Sequence, residues 1–180
     1  MKKSFQWKRL DRRIIYQSKF VTLFEDTVKL PSGIIFDDYT VIKKPDAVVV
    51  VATDYDSNVL IQKEYRYPFN KIMNNLPSGH IDGIETPLEA AKRELKEERG
   101  YTGGEFKLIG KVYEFPTKDC HTIYVVRATN VEKTLEPILD ETENIEGSLI
   151  SIPELKKQVK ANLWETAEIL AALTLSQIFE

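Results

Sequence analysis

The segment from Thr86 to Gly100 constrains this chain more than any other. Thr86-Pro87-Leu88-Glu89 sets a hydroxyl at the N-cap, a proline at the first helical position and a glutamate at the capping-box position. Gly100 supplies the stop, because a helix often ends on a residue in the left-handed conformation. With both ends defined, the faces can be read at about 100° per residue. Leu88, Ala91 and Leu95 form an apolar stripe that can dock on a sheet. Ala90, Glu94, Glu97 and Glu98 share an adjoining arc of about 100°. Lys92, Lys96 and Arg99 take most of the remaining face. Carboxylates gathered beside a packed stripe repel, at a few tenths of a kcal/mol for each i,i+4 pair. A divalent cation relieves that repulsion, and oxygen ligands select Mg²⁺ or Mn²⁺ over zinc. The competing reading is a solvated face on which Lys92 and Lys96 pair with the acids.

The rest of the chain is organised around this helix. Residues 12–16 and 20–29 are rich in β-branched and aromatic residues, Pro31-Ser32-Gly33 signals a turn, and Ile34–Ile42 resumes a strand-like composition. These predict an N-terminal hairpin or small sheet, ended by Lys43-Lys44-Pro45-Asp46. Ala47–Thr53 reads as a buried strand. Val59–Arg66 reads as the next one, with Leu60, Gln62, Glu64 and Arg66 on one face. Phe106–Phe115, His121–Thr129 and Ile145–Ser151 are further strands. Ser151-Ile152-Pro153-Glu154 opens a short helix, and Leu163–Ile178 reads as a longer amphipathic one. Trp164 and the Leu170/Leu173 stripe belong to a core or a dimer contact. This order is α+β, not a regular βαβ repeat.

Composition excludes several classes. The 180 residues carry a net charge of −3, which argues against a nucleic-acid binder that works mainly by counterion release. The apolar run Ala47–Ala52 is far short of the roughly 20 residues that span a bilayer, and charges from Lys8 to Arg13 interrupt any secretory h-region. Cys120 is the single cysteine, so no internal disulfide forms and a reducing, cytoplasmic compartment is expected. The charge is unevenly placed: residues 1–42 sum to +3 and residues 132–146 to −5. An acidic run of that kind is a solvated loop or a source of a catalytic carboxylate.

Gly79, Glu85, Arg93-Glu94-Leu95, Glu97-Glu98, Gly100 and Tyr101 follow the spacing G-x5-E-x7-R-E-U-x-E-E-x-G-U. This resembles the Nudix box of the Nudix hydrolase superfamily. Every fixed position matches, and Tyr101 stands where an aliphatic residue is usual. The resemblance covers roughly residues 12–178. Gln62-Lys63-Glu64-Tyr65-Arg66-Tyr67-Pro68 resembles the Q-x-R-x-P segment of ADP-ribose and nucleotide-sugar pyrophosphatases. Leu76-Pro77-Ser78-Gly79-His80-Ile81-Asp82-Gly83 resembles the loop that leads into their box, with Asn75-Leu76 where an acidic residue is common and Ser78 in place of alanine. Pro116 stands at a marker position of the ADP-ribose group, although the segment after it, Thr117 to His121, is shorter and different here.

The resemblance implies an α/β/α sandwich on a mixed central sheet, with residues 1–43 as an N-terminal β subdomain and 44–180 as the Nudix domain. In that subgroup the β subdomain exchanges across a homodimer and helps to build the partner's nucleotide pocket. It implies Mg²⁺ (Mn²⁺ as a substitute) held by Glu94, Glu97, Glu98 and the carbonyl of Ser78. Glu85 and Arg93 lock the loop to the helix, and Gly79 allows the loop its tight course. By resemblance Glu143, in the acidic loop, is the catalytic base, with Glu141 and Glu146 in reserve. Arg66 is a clamp for phosphate or sugar, against an ordinary surface arginine; Tyr16, Phe20 and Tyr39 are stacking surfaces for a base, against core packing. The implied reaction is hydrolysis of a nucleoside diphosphate sugar, with no nucleic acid or membrane as partner. Hydrolysis of triphosphates or dinucleoside polyphosphates, and a silent nucleotide-sugar sensor, are the alternatives.

Overall fold

The computed structural model describes residues 5–141 and 144–180. The chain forms two compact units, one of residues up to 45 with 113–121, the other of residues 46–112 with 122–180.

The smaller unit is an antiparallel sheet in the order β1 (Lys8–Gln17), β2 (Thr22–Lys29) and β3 (Ile35–Lys43). Ser18 closes the first turn by accepting from the Val21 N–H at 3.1 Å. Gly33 makes the second with φ of +92°, a value that favours glycine. Arg12 binds Asp26 through two hydrogen bonds of 2.6 and 2.7 Å. Residues 113–121 join β3: the Ile42 N–H donates to the Lys118 carbonyl, and the Cys120 N–H donates to that of Ile42. Every residue of β1 is exposed, including Leu10, Ile14, Ile15 and Tyr16. Trp7 stacks on Phe36 and meets the edge of Tyr39.

The larger unit runs β4 (Ala47–Ala52), β5 (Val59–Arg66), β6 (Lys71–Asn75), β7 (Ser78–His80), α1 (Pro87–Arg99), β8 (Tyr101–Thr102), β9 (Glu105–Val112), β10 (Ile123–Thr129), β11 (Glu132–Lys133), β12 (Ile145–Ile150), α2 (Ile152–Lys160) and α3 (Ala167–Leu175). The central sheet has the order β7-β4-β10-β9, with β4 and β10 parallel and the other pairs antiparallel. A second sheet has the order β12-β5-β6. β4 explains the layering. Val49 and Val51 face a cluster with Leu155, Trp164, Ile169 and Leu173, while Val48, Val50 and Ala52 face Ala90, Ala91 and Leu95. A strand buried on both faces reads as a continuous apolar run, as Ala47–Ala52 does. Helix α1 therefore covers one side of the sheet and α2 and α3 the other, which is the α/β/α sandwich with a mixed sheet. Each fully buried valine contributes about 1.5–3 kcal/mol.

Three local expectations change. The last helix starts at Ala167, not near Leu163. Asn162 turns the chain with φ of +57°, and the Leu163 carbonyl accepts from the Asn74 amide at 2.8 Å, so the approach is spent on anchoring Trp164 in the core. Ser151 precedes α2 but makes no side-chain capping bond. Arg99 is buried, although the helical wheel sets it among the lysines.

Candidate active site

Helix α1 begins as its sequence dictates. The Thr86 hydroxyl accepts from the Glu89 N–H at 3.3 Å, and the Glu89 carboxylate accepts from the Thr86 N–H at 2.8 Å. Gly100 ends the helix with φ of +69° and donates to the Lys96 carbonyl. These ends aim the acidic face at the loop that follows β7.

Arg93 is the hub of that face. It grips Glu85 through two hydrogen bonds of 2.8 and 2.9 Å. It also donates to Glu94 at 2.8 Å, to Glu97 at 3.2 Å and to the His80 carbonyl at 2.8 Å. One guanidinium thus ties the loop to the helix and offsets the repulsion among the acids. The Glu85 carboxyl is held below its usual range, chiefly by the Arg93 hydrogen bond. The Glu85 pair raises the Arg93 guanidinium further above its already high value.

Glu98 is anchored differently. The Gln62 side-chain amide lies 3.3 Å from both its oxygens, and the Ser78 N–H donates to one of them at 3.1 Å. Glu94 and Glu98 are buried, while Glu97 is half-exposed. Gly79 faces this cluster. A Cβ added there would overlap the Glu94 carboxylate, so any larger residue would displace that group from its place. A cleft of about 330 Å³ opens beside Glu98, lined also by Arg99, Tyr101, Lys133, Leu139 and Ser148. The donor set, carboxylates with one glycine cradle, fits a hard divalent cation.

The other expected residues are placed as follows. Arg66 is half-buried and bonded to Glu64 at 2.6 Å; Glu64 in turn accepts from the Asn75 amide at 3.1 Å. Tyr16 and Phe20 are exposed on the smaller unit. Tyr39, in that unit, donates its hydroxyl to the Thr117 carbonyl, next to the exposed Pro116, and carries Lys118 over its ring at 3.9 Å. Glu141 and Glu146 are exposed, and Glu143 lies outside the described residues. His80 is exposed and serves Arg93 through its carbonyl.

Two arrangements had no sequence expectation. The Gln62–Glu98 contact joins residues 36 apart in sequence; its signals are a polar residue on the face that Leu60 shares and the place of Gln62 at the head of the Q-x-R-x-P resemblance, neither of which names Glu98 as its partner. In the smaller unit, ligand atoms of Glu114, Asp119 and His121 lie within 4.8 Å of one another. Lys44 already sits there, 2.6 Å from both carboxylates, and His121 Nδ1 is 2.7 Å from Asp119. Burial acts to raise the Asp119 carboxyl, but hydrogen bonds from Lys44 and His121 outweigh it and hold the group low. An ammonium neutralises this cluster internally.

With this geometry in view, the comparisons with known proteins are direct. Residues 43–173 match the NUDIX domain, and residues 7–42 match the nucleoside diphosphate sugar hydrolase N-terminal domain. The chain belongs to the Nudix hydrolase family. It is 27% identical to the ADP-ribose pyrophosphatase of Bacillus subtilis (strain 168), over 99% of this chain and 96% of that protein. It is 25% identical to the methanol dehydrogenase activator of Bacillus methanolicus, over 95% of this chain and 93% of that one. A crystal structure described as an ADP compounds hydrolase superposes with a TM-score of 0.85 at 22% identity, covering 98% of this chain and 96% of its own. At that identity the likeness concerns the fold.

Proposed function

We propose that this protein is a metal-dependent pyrophosphatase of nucleoside diphosphate sugars, with ADP-ribose as the first substrate to test. One observation carries the reading: a NUDIX domain with a complete box, residues 43–173, follows directly on residues 7–42, which match the N-terminal domain of nucleoside diphosphate sugar hydrolases. Water attacks one phosphorus of the diphosphate, and the bond to the bridging oxygen breaks. A nucleoside monophosphate and a sugar phosphate leave.

In this reading Glu94, Glu97, Glu98 and the Ser78 carbonyl hold Mg²⁺, with Mn²⁺ as a substitute. The cation supplies charge neutralisation to the diphosphate as it reacts. Arg93 keeps Glu94 and Glu97 in position and fixes the loop through Glu85. Glu143 takes the proton of the attacking water, with Glu141 and Glu146 as neighbours able to replace it. Arg66, steadied by Glu64, holds a phosphate or the terminal sugar. Tyr16, Phe20 and Tyr39 are assigned as stacking surfaces for a base, and Pro116 as a further substrate-binding residue.

A homodimer accords with the smaller unit, whose β1 exposes Leu10, Ile14, Ile15 and Tyr16. We further propose that the protein works in the cytoplasm without nucleic-acid or membrane partners. Among the described residues no helix is long and apolar enough to cross a membrane.

The test is product identification with ADP-ribose, other ADP-, UDP- and GDP-sugars, dinucleoside polyphosphates and dNTPs, each with and without Mg²⁺. AMP and ribose 5-phosphate from ADP-ribose would support the reading; cleavage confined to triphosphates would overturn it. Glu143→Gln addresses the base. An unchanged pH profile of kcat would remove Glu143 from the mechanism.

A further inference from the structure

We propose that Gln62 is a positioning residue for Glu98, one that fixes the carboxylate for a divalent cation without neutralising it. The proposal rests on the reading of Glu98 as a metal ligand. Gln62 stands in β5 with no exposed surface, on the strand face it shares with the fully buried Leu60. An amide at such a position is unfavourable unless its hydrogen bonds are made. Its nitrogen is 3.3 Å from each Glu98 oxygen, so it bridges the carboxylate.

Its oxygen, Oε1, is buried and has no hydrogen-bond partner among the described residues. Turning the amide over does not help. It would set that oxygen against the Glu98 carboxylate, two acceptors with no hydrogen between them. The residue therefore keeps its donor on Glu98 while its acceptor goes unmatched within the protein. Buried polar groups are rarely left so in folded proteins, and the exceptions call for a reason such as function. An apolar side chain of the same length would pack with Leu60 and carry no unmatched atom of its own. Holding Glu98 is what the glutamine adds.

The choice of an amide over a cation also has a consequence. Glu94 and Glu97 share the positive charge of Arg93. The amide of Gln62 and the Ser78 N–H are neutral donors, which orient Glu98 without adding a positive charge of their own.

The experiment titrates the full-length protein with Mn²⁺ by electron paramagnetic resonance, without substrate, alongside thermal melting. Gln62→Met keeps the length and removes the donor. The expected result is a Kd for Mn²⁺ weakened about tenfold or more, with Tm unchanged or raised. Gln62→Leu serves as the second variant should the thioether pack poorly. A Kd within twofold of the parent in a folded variant overturns the proposal, and a lowered Tm with unchanged Kd assigns Gln62 to the fold alone. Glu98→Gln separates this from the site itself. If it abolishes tight binding while Gln62→Met does not, only the Gln62 proposal fails. If it leaves binding unchanged, the metal assignment of Glu98 fails and the Gln62 proposal with it.

Discussion

Arg93 and Arg99 lie on the same helix, six residues apart, and the protein uses the same guanidinium for opposite ends. Arg93 is partly exposed and surrounded by carboxylates, with Glu85, Glu94 and Glu97 all within hydrogen-bond reach. Arg99 is buried, and its described hydrogen bonds go to the carbonyls of Ile61 in β5 and Ser148 in β12. Their environments move them apart. Arg93 is raised by its carboxylates, and Arg99 is lowered by burial. Each also faces a sensitive glycine. Gly79 leaves room for the Glu94 carboxylate that Arg93 holds, and Gly147 leaves room for the Arg99 guanidinium itself. In the proposed function Arg93 organises groups that must stay charged and in reach of a ligand. Arg99 fastens the end of the helix to two strands. The difference teaches that identity and helical position do not settle the role of a charged side chain; its acceptors do.

The comparison predicts mutants that fail in different ways. Arg93→Ala is expected to lower kcat/KM by about 10–100-fold, because it frees three carboxylates from their shared support. The same variant should gain more in Tm from added Mg²⁺ than the parent does, since the cation would then relieve repulsion that the arginine no longer offsets. Steady-state kinetics and melting with and without Mg²⁺ check this. A variant with parental kcat/KM would place Arg93 in the same structural class as Arg99.

Arg99→Met should do the reverse. It removes the hydrogen bonds to the buried Ile61 carbonyl and to the carbonyl of the exposed Ser148, at a cost of about 2–3 kcal/mol of stability, while the folded fraction keeps activity within a few-fold. Urea unfolding and active-fraction kinetics separate the two effects. The glycines sharpen the same contrast at smaller amplitude. Gly79→Ala should push the end of a flexible carboxylate and reduce activity about tenfold, with little change in Tm. Gly147→Ala should displace the guanidinium, lowering stability by about 1–2 kcal/mol with activity nearly retained. Equal losses of activity in both alanine variants would dissolve the distinction.

What the sequence reveals follows the range of the interactions. Helix α1, its caps and its acidic face are legible because a capping box and a left-handed glycine are local chemistry. The Arg93–Glu85 grip spans eight residues and is still close to local. The Gln62–Glu98 contact is not legible, because it depends on how β5 passes the end of α1. Arg99 escapes for a related reason. A helical wheel assigns an angle, but near the helix end β5 and β12 cover a face that Lys92 and Lys96 leave in solvent. The short strands β6 and β7 escape as well, since Lys71–Asn75 and Ser78–His80 are too brief and polar to show alternation. The tie of residues 113–121 to β3 is carried by backbone hydrogen bonds, which no side-chain pattern records.

The smallest predicted effect concerns acid. The Glu85 carboxyl is held below its ordinary value of 4.5, first by Arg93. A carboxyl with a depressed folded pKa stabilises the folded state fully above its unfolded value, and that contribution disappears as pH falls through the folded value. Arg93 itself is raised above its already high ordinary value, so its side of the pair is fully present at every pH considered and does not titrate in the acid range. The difference in stability between the parent and Arg93→Ala should therefore be constant from pH 7 to about 5 and shrink below about 4.5. The part that disappears is about 0.5–1 kcal/mol, since the pair is partly in water. Arg12 and Asp26 in the smaller unit provide the internal control. Asp26 is likewise depressed by its arginine, yet Arg93→Ala leaves that pair intact, so both proteins should share its acid-dependent loss. Urea midpoints at pH 7, 5, 4 and 3 measure the difference. A gap that stays constant down to pH 3 would mean that Arg93 supports the fold through packing, as Arg99 does, and not through the Glu85 carboxylate.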